Sequence, residues 1–181
     1  VIPISLELLN FTPDDVRDAQ AAMSRFAGRL AVQDALHHYQ GSLPKRVTII
    51  GTGPAGLSAA LAAKDLQLPV QLFGRREHHR QAVEAAGIIY YVLPASDQNI
   101  FLRVHLGDQT IVITAARNVG KKSPLLIDTA SLEILPDNAV VIDLSAGEGG
   151  KPRRSLAGAE HFRKPSVAKG YLNSHFILPS V

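Results

Sequence analysis

Residues 46–56 read RVTIIGTGPAG, and residues 57–66 continue with good helix formers. The apolar run Val47-Thr48-Ile49-Ile50 has strand character and leads straight into Gly51-Thr52-Gly53-Pro54-Ala55-Gly56. Strand, glycine turn and helix in that order give G-x-G-x-x-G a mechanism. Gly51 permits the tight turn, Gly53 lets a pyrophosphate approach the backbone, and Gly56 allows the helix to pack closely on the strand. The N–H groups at the helix start then hold the phosphates. The glycine pattern alone is a weak signal and also reads as a purely structural turn. The flanking strand and helix favour a dinucleotide site at Gly51, Thr52, Gly53, Pro54, Ala55 and Gly56.

Upstream of this stretch, residues 1–11 read as a short extended entry. Thr12 suits a helix N-cap, Pro13 the first helical position, and Asp14 and Asp15 the positive helix end. The spacing predicts a helix from there to Tyr39. Val16, Met23, Phe26, Leu30 and Leu36 would form its buried face. Gly28 inside it costs about 1 kcal/mol against Ala and marks close packing. His37 and His38 read as solvated or capping residues rather than metal ligands.

Downstream, strands are expected over residues 69–73, 88–92, 110–114 and 139–144, with a weaker one over 166–172. Helices are expected over 55–66, 79–86 and 97–106, and a short one from Asp128. Alternating strands and helices predict an α/β, Rossmann-like doubly wound parallel sheet in a single domain with a long N-terminal helix. Residues 1–45 would be the N-terminal segment and long helix, and 46–181 the dinucleotide-binding domain. The loops at Gly51, Gly74, Thr114 and Ser145 each follow a strand, so they should line the carboxyl edge where ligands sit.

The 181 residues suffice for one such domain, with 46% hydrophobic and 19% charged residues. The net charge is +3 and no long Lys/Arg run occurs, so anionic small molecules are expected as partners rather than nucleic acid. Cys is absent, which excludes disulfides, thiolate catalysis and Cys-ligated metals. No apolar stretch approaches the roughly 18 residues that span a bilayer.

The end of the second strand bears on which dinucleotide would bind. A site for NAD usually carries Asp or Glu about 20 residues beyond the glycine turn, to hold the ribose hydroxyls. That place falls at Gly74, followed by Arg75 and Arg76. Two guanidiniums and no carboxylate suit a 2′-phosphate, hence NADP(H). Two other readings stay open: a solvated basic turn in which Glu77 pairs with an Arg, and a turn that has lost dinucleotide affinity.

Two later stretches, IVITAARNVGKKSPLLI at 111–127 and AVVIDLSAGEGG at 139–150, narrow the reading. With MSRFAGRLAV at 23–32 and GYLN at 170–173, they resemble the nucleotide-binding domain of the alanine dehydrogenase and pyridine nucleotide transhydrogenase family. The transhydrogenase alpha subunit is the nearer branch. The resemblance implies a nicotinamide cofactor, NAD(P), and hydride transfer. It places Gly51, Gly53 and Gly56 at the pyrophosphate and Gly74, Arg75 and Arg76 by the adenosine ribose. Thr114, Ala115, Ala116 and Arg117 would lie by the nicotinamide ribose. It also implies a homodimer and a partner domain or subunit of a transhydrogenase-like complex. The expected location is cytoplasmic, peripheral to a membrane complex where the chain serves one.

The chain departs from that family at several points, including a connector after strand three that is shorter than the transhydrogenase segment. The family's first domain, with the substrate-binding and catalytic residues of alanine dehydrogenases, has no counterpart in residues 1–45. Asp18 matches a transhydrogenase Asp, whereas Asn10 and Asp15 stand where Arg and Gln belong. The acidic residue at strand two is replaced by Gly74. The Asp before Gly-Gly in alanine dehydrogenases is replaced by Gly147, with Glu148 adjacent. Asp18, Glu148 and His161 are the candidate acids or bases, each with a surface or capping role as the alternative. VTIIGTGPAGLSAALAA also resembles the FAD-binding start of flavoprotein reductases, but those carry Glu where Gly74 stands. Two functions are therefore expected to compete: a cofactor-binding component of an oxidoreductase, and a non-catalytic or regulatory module that kept the fold and lost the chemistry.

Overall fold

Among the described residues, the short apolar runs read as strands become parallel strands of one sheet. The computed structural model describes residue 15, residues 18–116 and 127–144, and the strand at 171–172. In chain order the elements are α1 (Ala19–His38), β1 (Val47–Ile50), α2 (Pro54–Asp65), β2 (Val70–Gly74), α3 (Arg80–Ala85), β3 (Ile89–Val92), α4 (Gln98–Leu106), β4 (Ile111–Thr114), α5 (Thr129–Glu133), β5 (Val140–Asp143) and β6 (Tyr171–Leu172). The sheet order is β3-β2-β1-β4-β5-β6, and every pairing is parallel. The α/β doubly wound architecture expected from the sequence is the one observed. The N-terminal entry, the Thr12–Pro13 cap and most of the 166–172 segment lie outside the described residues.

Strands β1, β2 and β4 are buried along their whole length because helices cover both faces. The two-residue alternation of a strand divides the core accordingly. Val47, Ile49, Leu72, Tyr90, Ile111, Ile113 and Ile142 pack with residues of α1, α2 and α3. Ile50, Phe73, Val112 and Val141 pack with Leu102 and Leu106 of α4 and with Leu135 after α5. On this second face Thr48, Gln71 and Gln109 form a buried chain of hydrogen bonds. Gln71 Nε2 donates to Thr48 Oγ1 at 2.7 Å and to the His105 carbonyl at 3.0 Å, and Thr48 Oγ1 donates to Gln109 Oε1 at 3.1 Å.

The N-terminal helix differs from its expected form in two ways. It begins at Ala19, where the Asp18 carboxylate accepts the Ala21 N–H at 2.8 Å and satisfies one of the amides that lack an intrahelical partner. Its buried face consists of Gly28, Ala31, Val32 and Ala35, while Met23 and Phe26 are 68% and 59% exposed. The physical reason is the partner surface. The α2 residues that meet α1 are themselves small, Ala55 opposite Gly28 and Ser58 opposite Arg25. Two faces of small residues let the helix backbones approach closely, and bulky side chains between them would hold the helices apart. A Cβ at Gly28 would lie 2.0 Å from the Ala55 carbonyl oxygen, and Ser58 Oγ donates to the Arg25 carbonyl at 2.8 Å. His38 stands 3.5 Å from Asp34 on the solvent side. Among the described residues, no helix is long and apolar enough to cross a membrane.

Two consequences are measurable. Gly28→Ala should gain about 1 kcal/mol of helix propensity, yet the backbone oxygen it meets cannot move aside. Net destabilisation of about 1–3 kcal/mol is expected in denaturant unfolding. The second concerns Asp128, which caps α5. It accepts from the Ser131 hydroxyl (2.6 Å), the Ser131 N–H (2.8 Å) and Asn99 (2.8 Å). The Ser131 hydroxyl, ahead of the amide bonds, holds its carboxyl down at about 2. A lowered folded-state pKa stabilises the fold once pH exceeds the unfolded value near 4, and that stability is lost as pH falls through about 2. The stability gap between the native chain and Asp128→Asn should therefore shrink on acidification across that window.

Candidate functional site

Strand register brings the loop starts together. Ile50 pairs with Phe73 and Thr114, Thr114 with Asp143, and Gly74 with Val92, so the strand ends form one rim. The strand order reverses between β1 and β4, which creates the crevice where ligands bind in open α/β sheets. Gly51 stands at this crevice with φ +121°, a conformation favouring glycine. A Cβ there would lie 2.7 Å from the Ala115 carbonyl carbon, so the β1 and β4 turns touch backbone to backbone. The Gly51 N–H donates to the Phe73 carbonyl and the Ala115 N–H to the Ile50 carbonyl, each at 2.8 Å.

The remaining turn glycines have separate roles. A Cβ on Gly56 would lie 1.9 Å from the Gly51 carbonyl oxygen, so only hydrogen fits between helix and turn. Gly53, the N-cap of α2, is exposed with no atom within 4 Å of its Cβ direction. Pro54 opens the helix without an N–H. The Leu57 N–H bonds the Gly53 carbonyl at 3.0 Å, whereas the amides of Ala55 and Gly56 have no acceptor among the described residues. Open space above Gly53, amides without acceptors and the positive end of a helix dipole together fit an anionic diphosphate.

At the adjoining strand end, Gly74 is buried and Arg75 and Arg76 are exposed. Glu77 belongs to a short 3₁₀ turn, Glu77–His79, and pairs with Arg80. Arg80 Nε binds Glu77 Oε1, its Nη2 binds Glu77 Oε2 at 3.2 Å, and its Nη1 reaches Glu84 at 2.9 Å and the Tyr90 carbonyl at 3.0 Å. The hydrogen bond from Arg80 holds the Glu77 carboxyl below its usual range. Arg75 and Arg76 make no ion pair among the described residues, so Glu77 does not neutralise them by contact. Burial, then electrostatic repulsion from His78 and Arg76, pushes the His79 imidazole down.

At the β4 end, Thr114 is buried and donates to Asp143 Oδ1 at 2.7 Å, while Ala115 and Ala116 are half-buried beside the crevice. Arg117, the 118–126 loop, the 145–150 loop with Glu148, and His161 lie outside the described residues. The Asp18 carboxylate is engaged as the α1 cap. Two residues at the rim escape sequence reasoning. Asp143 had a visible signal, a carboxylate closing an apolar run. Tyr90 had none, because only strand register carries its hydroxyl to Gly74.

The sequence pattern of the family described as alanine dehydrogenase/PNT, C-terminal domain, matches residues 18–170. The chain is 26% identical over 172 residues to the alpha subunit of the NAD(P) transhydrogenase of Haemophilus influenzae, covering 78% of this chain and 33% of that one. It is 28% identical over 166 residues to the alanine dehydrogenase of Staphylococcus saprophyticus, covering 83% and 44%. A transhydrogenase structure from Sinorhizobium meliloti superposes with a TM-score of 0.63 and 26% identity, covering 72% of this chain and 43% of that one. The fold alone is shared with a dipicolinate synthase chain from Bacillus halodurans, at a TM-score of 0.60, 20% identity and coverage of 91% and 49%. The chain thus spans less than half the length of these relatives.

The two glycines should separate on substitution. Gly56→Ala forces backbone apart and should lower stability by about 1–3 kcal/mol. Gly53→Ala enters open space and should cost less than about 1 kcal/mol, the loss of a glycine N-cap. Thermal unfolding of the two variants compares them directly.

Proposed function

Because the chain belongs to the alanine dehydrogenase/PNT family, as its C-terminal domain, we propose that it is the nicotinamide-dinucleotide-binding unit of an oxidoreductase. The observation that carries this reading is the start of α2, where open space at Gly53 adjoins the acceptor-free amides of Ala55 and Gly56 at the switch point of the sheet. Gly51–Gly56 would hold the pyrophosphate. Thr114, Ala115, Ala116 and Arg117 would border the nicotinamide ribose. The cofactor, when bound, supplies hydride chemistry at its nicotinamide, and the protein's role is to seat it facing a partner domain or chain. A homodimer and a transhydrogenase-like partner belong to the same proposal.

The Gly74-Arg75-Arg76 turn supports a preference for NADP(H). Its two guanidiniums are exposed, and the one nearby carboxylate, Glu77, is engaged by Arg80. A guanidinium fork suits a 2′-phosphate, and no carboxylate side chain stands at residue 74 to repel it. A second reading is favoured by one observation. Asp18, the candidate acid or base aligned with a transhydrogenase Asp, uses its carboxylate to cap α1. A binding or regulatory module without catalysis would be built this way.

Calorimetric titration with NADP(H) and NAD(H) tests the proposal, and no heat of binding for either at millimolar ligand rejects it. Arg75→Ala with Arg76→Ala should weaken NADP(H) binding at least about tenfold, the loss of charge-assisted hydrogen bonds, with little effect on NAD(H). Hydride exchange between the two nucleotides, assayed with and without candidate partner chains, separates the catalytic from the non-catalytic reading.

A further inference from the structure

The side chain missing at Gly74 leaves no hollow. An added Cβ would lie 2.2 Å from Tyr90 Oη, 3.0 Å from Tyr90 Cζ and 2.4 Å from Thr52 Cγ2. Register explains the approach. Tyr90 pairs with Leu72, two residues before Gly74, so its side chain and the Gly74 Cβ direction share one face of the sheet. Tyr90 is 2% exposed, and a buried hydroxyl needs a partner. It donates to the Arg76 carbonyl at 2.8 Å, and the His79 N–H approaches the same oxygen at 3.3 Å. Arg80 lies over the Tyr90 ring at 5.5 Å and binds the Tyr90 carbonyl, so the far end of the turn is tied to the same residue.

We propose that Tyr90 is a specificity-determining positioning residue: its hydroxyl fills the place of the ribose-binding carboxylate at Gly74 and holds the Arg76 peptide so that Arg75 and Arg76 present their guanidiniums to a cofactor 2′-phosphate. This rests on the NADP(H) reading above. Arg76 is extended, with φ −122° and ψ 121°, and its carbonyl is the last fixed point before the 3₁₀ turn. Holding that carbonyl restricts where the two preceding side chains can lie, which lowers the ordering cost of gripping a phosphate. Tyr90 itself touches no cofactor in this scheme. Gly74 and Tyr90 are also interlocked, because an acid at position 74 collides with the phenol. A switch toward NAD would require both residues to change.

Titration of the intact chain and of Tyr90→Phe with NADP+ and NAD+ reads this directly. Tyr90→Phe should weaken NADP+ binding about fivefold, the net worth of one hydrogen bond, and leave NAD+ within about twofold. Unchanged NADP+ affinity, or equal loss for both nucleotides, overturns the proposal while the NADP(H) reading stands. An unmodified chain that does not favour NADP+ overturns the reading and the proposal with it. A cofactor-free measurement tests the interlock independently. Gly74→Ala should lower the thermal midpoint, and by less when combined with Tyr90→Phe, which removes the atom at 2.2 Å. Equal losses in the two backgrounds overturn the interlock.

Discussion

Backbone meeting backbone, with no side chain between, is the contact on which this structure depends. Gly28 of α1 lies against the Ala55 carbonyl of α2, Gly56 of α2 against the Gly51 carbonyl, and Gly51 against Ala115 after β4. Three glycines thus link the outer helix, the first crossover helix and the two central strands in one line of close approach. Packing at this distance is possible only where hydrogen replaces a Cβ, since close-packed interiors leave nowhere for an extra methyl. The same line sets the pose of the β1–α2 turn. The helix start cannot swing away from the sheet edge, and its amides are held at the crevice between β1 and β4.

The rim shows a division of labour between glycines that look alike in sequence. Gly51 and Gly56 are closed positions, filled from one side by neighbouring backbone. Gly53 is the open one, with no atom in its Cβ direction. Closed glycines build the turn, and the open one leaves room above it. Gly74 is a third kind, occupied by the hydroxyl of a residue from the adjacent strand. An anion approaching this edge would meet the amides of α2 on one side and the exposed Arg75 and Arg76 on the other, consistent with the family's dinucleotide chemistry.

Charge at the second turn is sorted by one arginine. Arg80 binds Glu77, Glu84 and the Tyr90 carbonyl, so it gathers the local carboxylates away from the rim. Glu77 precedes it by three residues and Glu84 follows by four, on the same side of a helical turn. These exposed pairs add little to stability. Their effect is on position, because they keep Glu77 from Arg75 and Arg76 and leave the two guanidiniums available to an anion.

Much of this protein was determined by local sequence. The Val47–Ile50 run followed by Gly51–Gly56 specifies strand, turn and helix because propensity, glycine spacing and Pro54 act over neighbouring residues. The alternation of apolar runs with helical stretches predicts the parallel sheet for the same reason. The face of α1 was not legible. Met23 and Phe26 satisfy helical spacing, yet the small-residue surface of α2 selects Gly28, Ala31, Val32 and Ala35 instead. Asp18 reads equally as cap or catalyst along the chain, and only its bond to the Ala21 N–H distinguishes the two. Glu77 had Arg75, Arg76 and Arg80 within reach along the chain, and the anchoring of Arg80 to Tyr90 coincides with the pair that forms. The filling of Gly74 by Tyr90 depends on residues sixteen positions apart. Only β2–β3 register brings them together, and register is a property of the assembled sheet rather than of either strand.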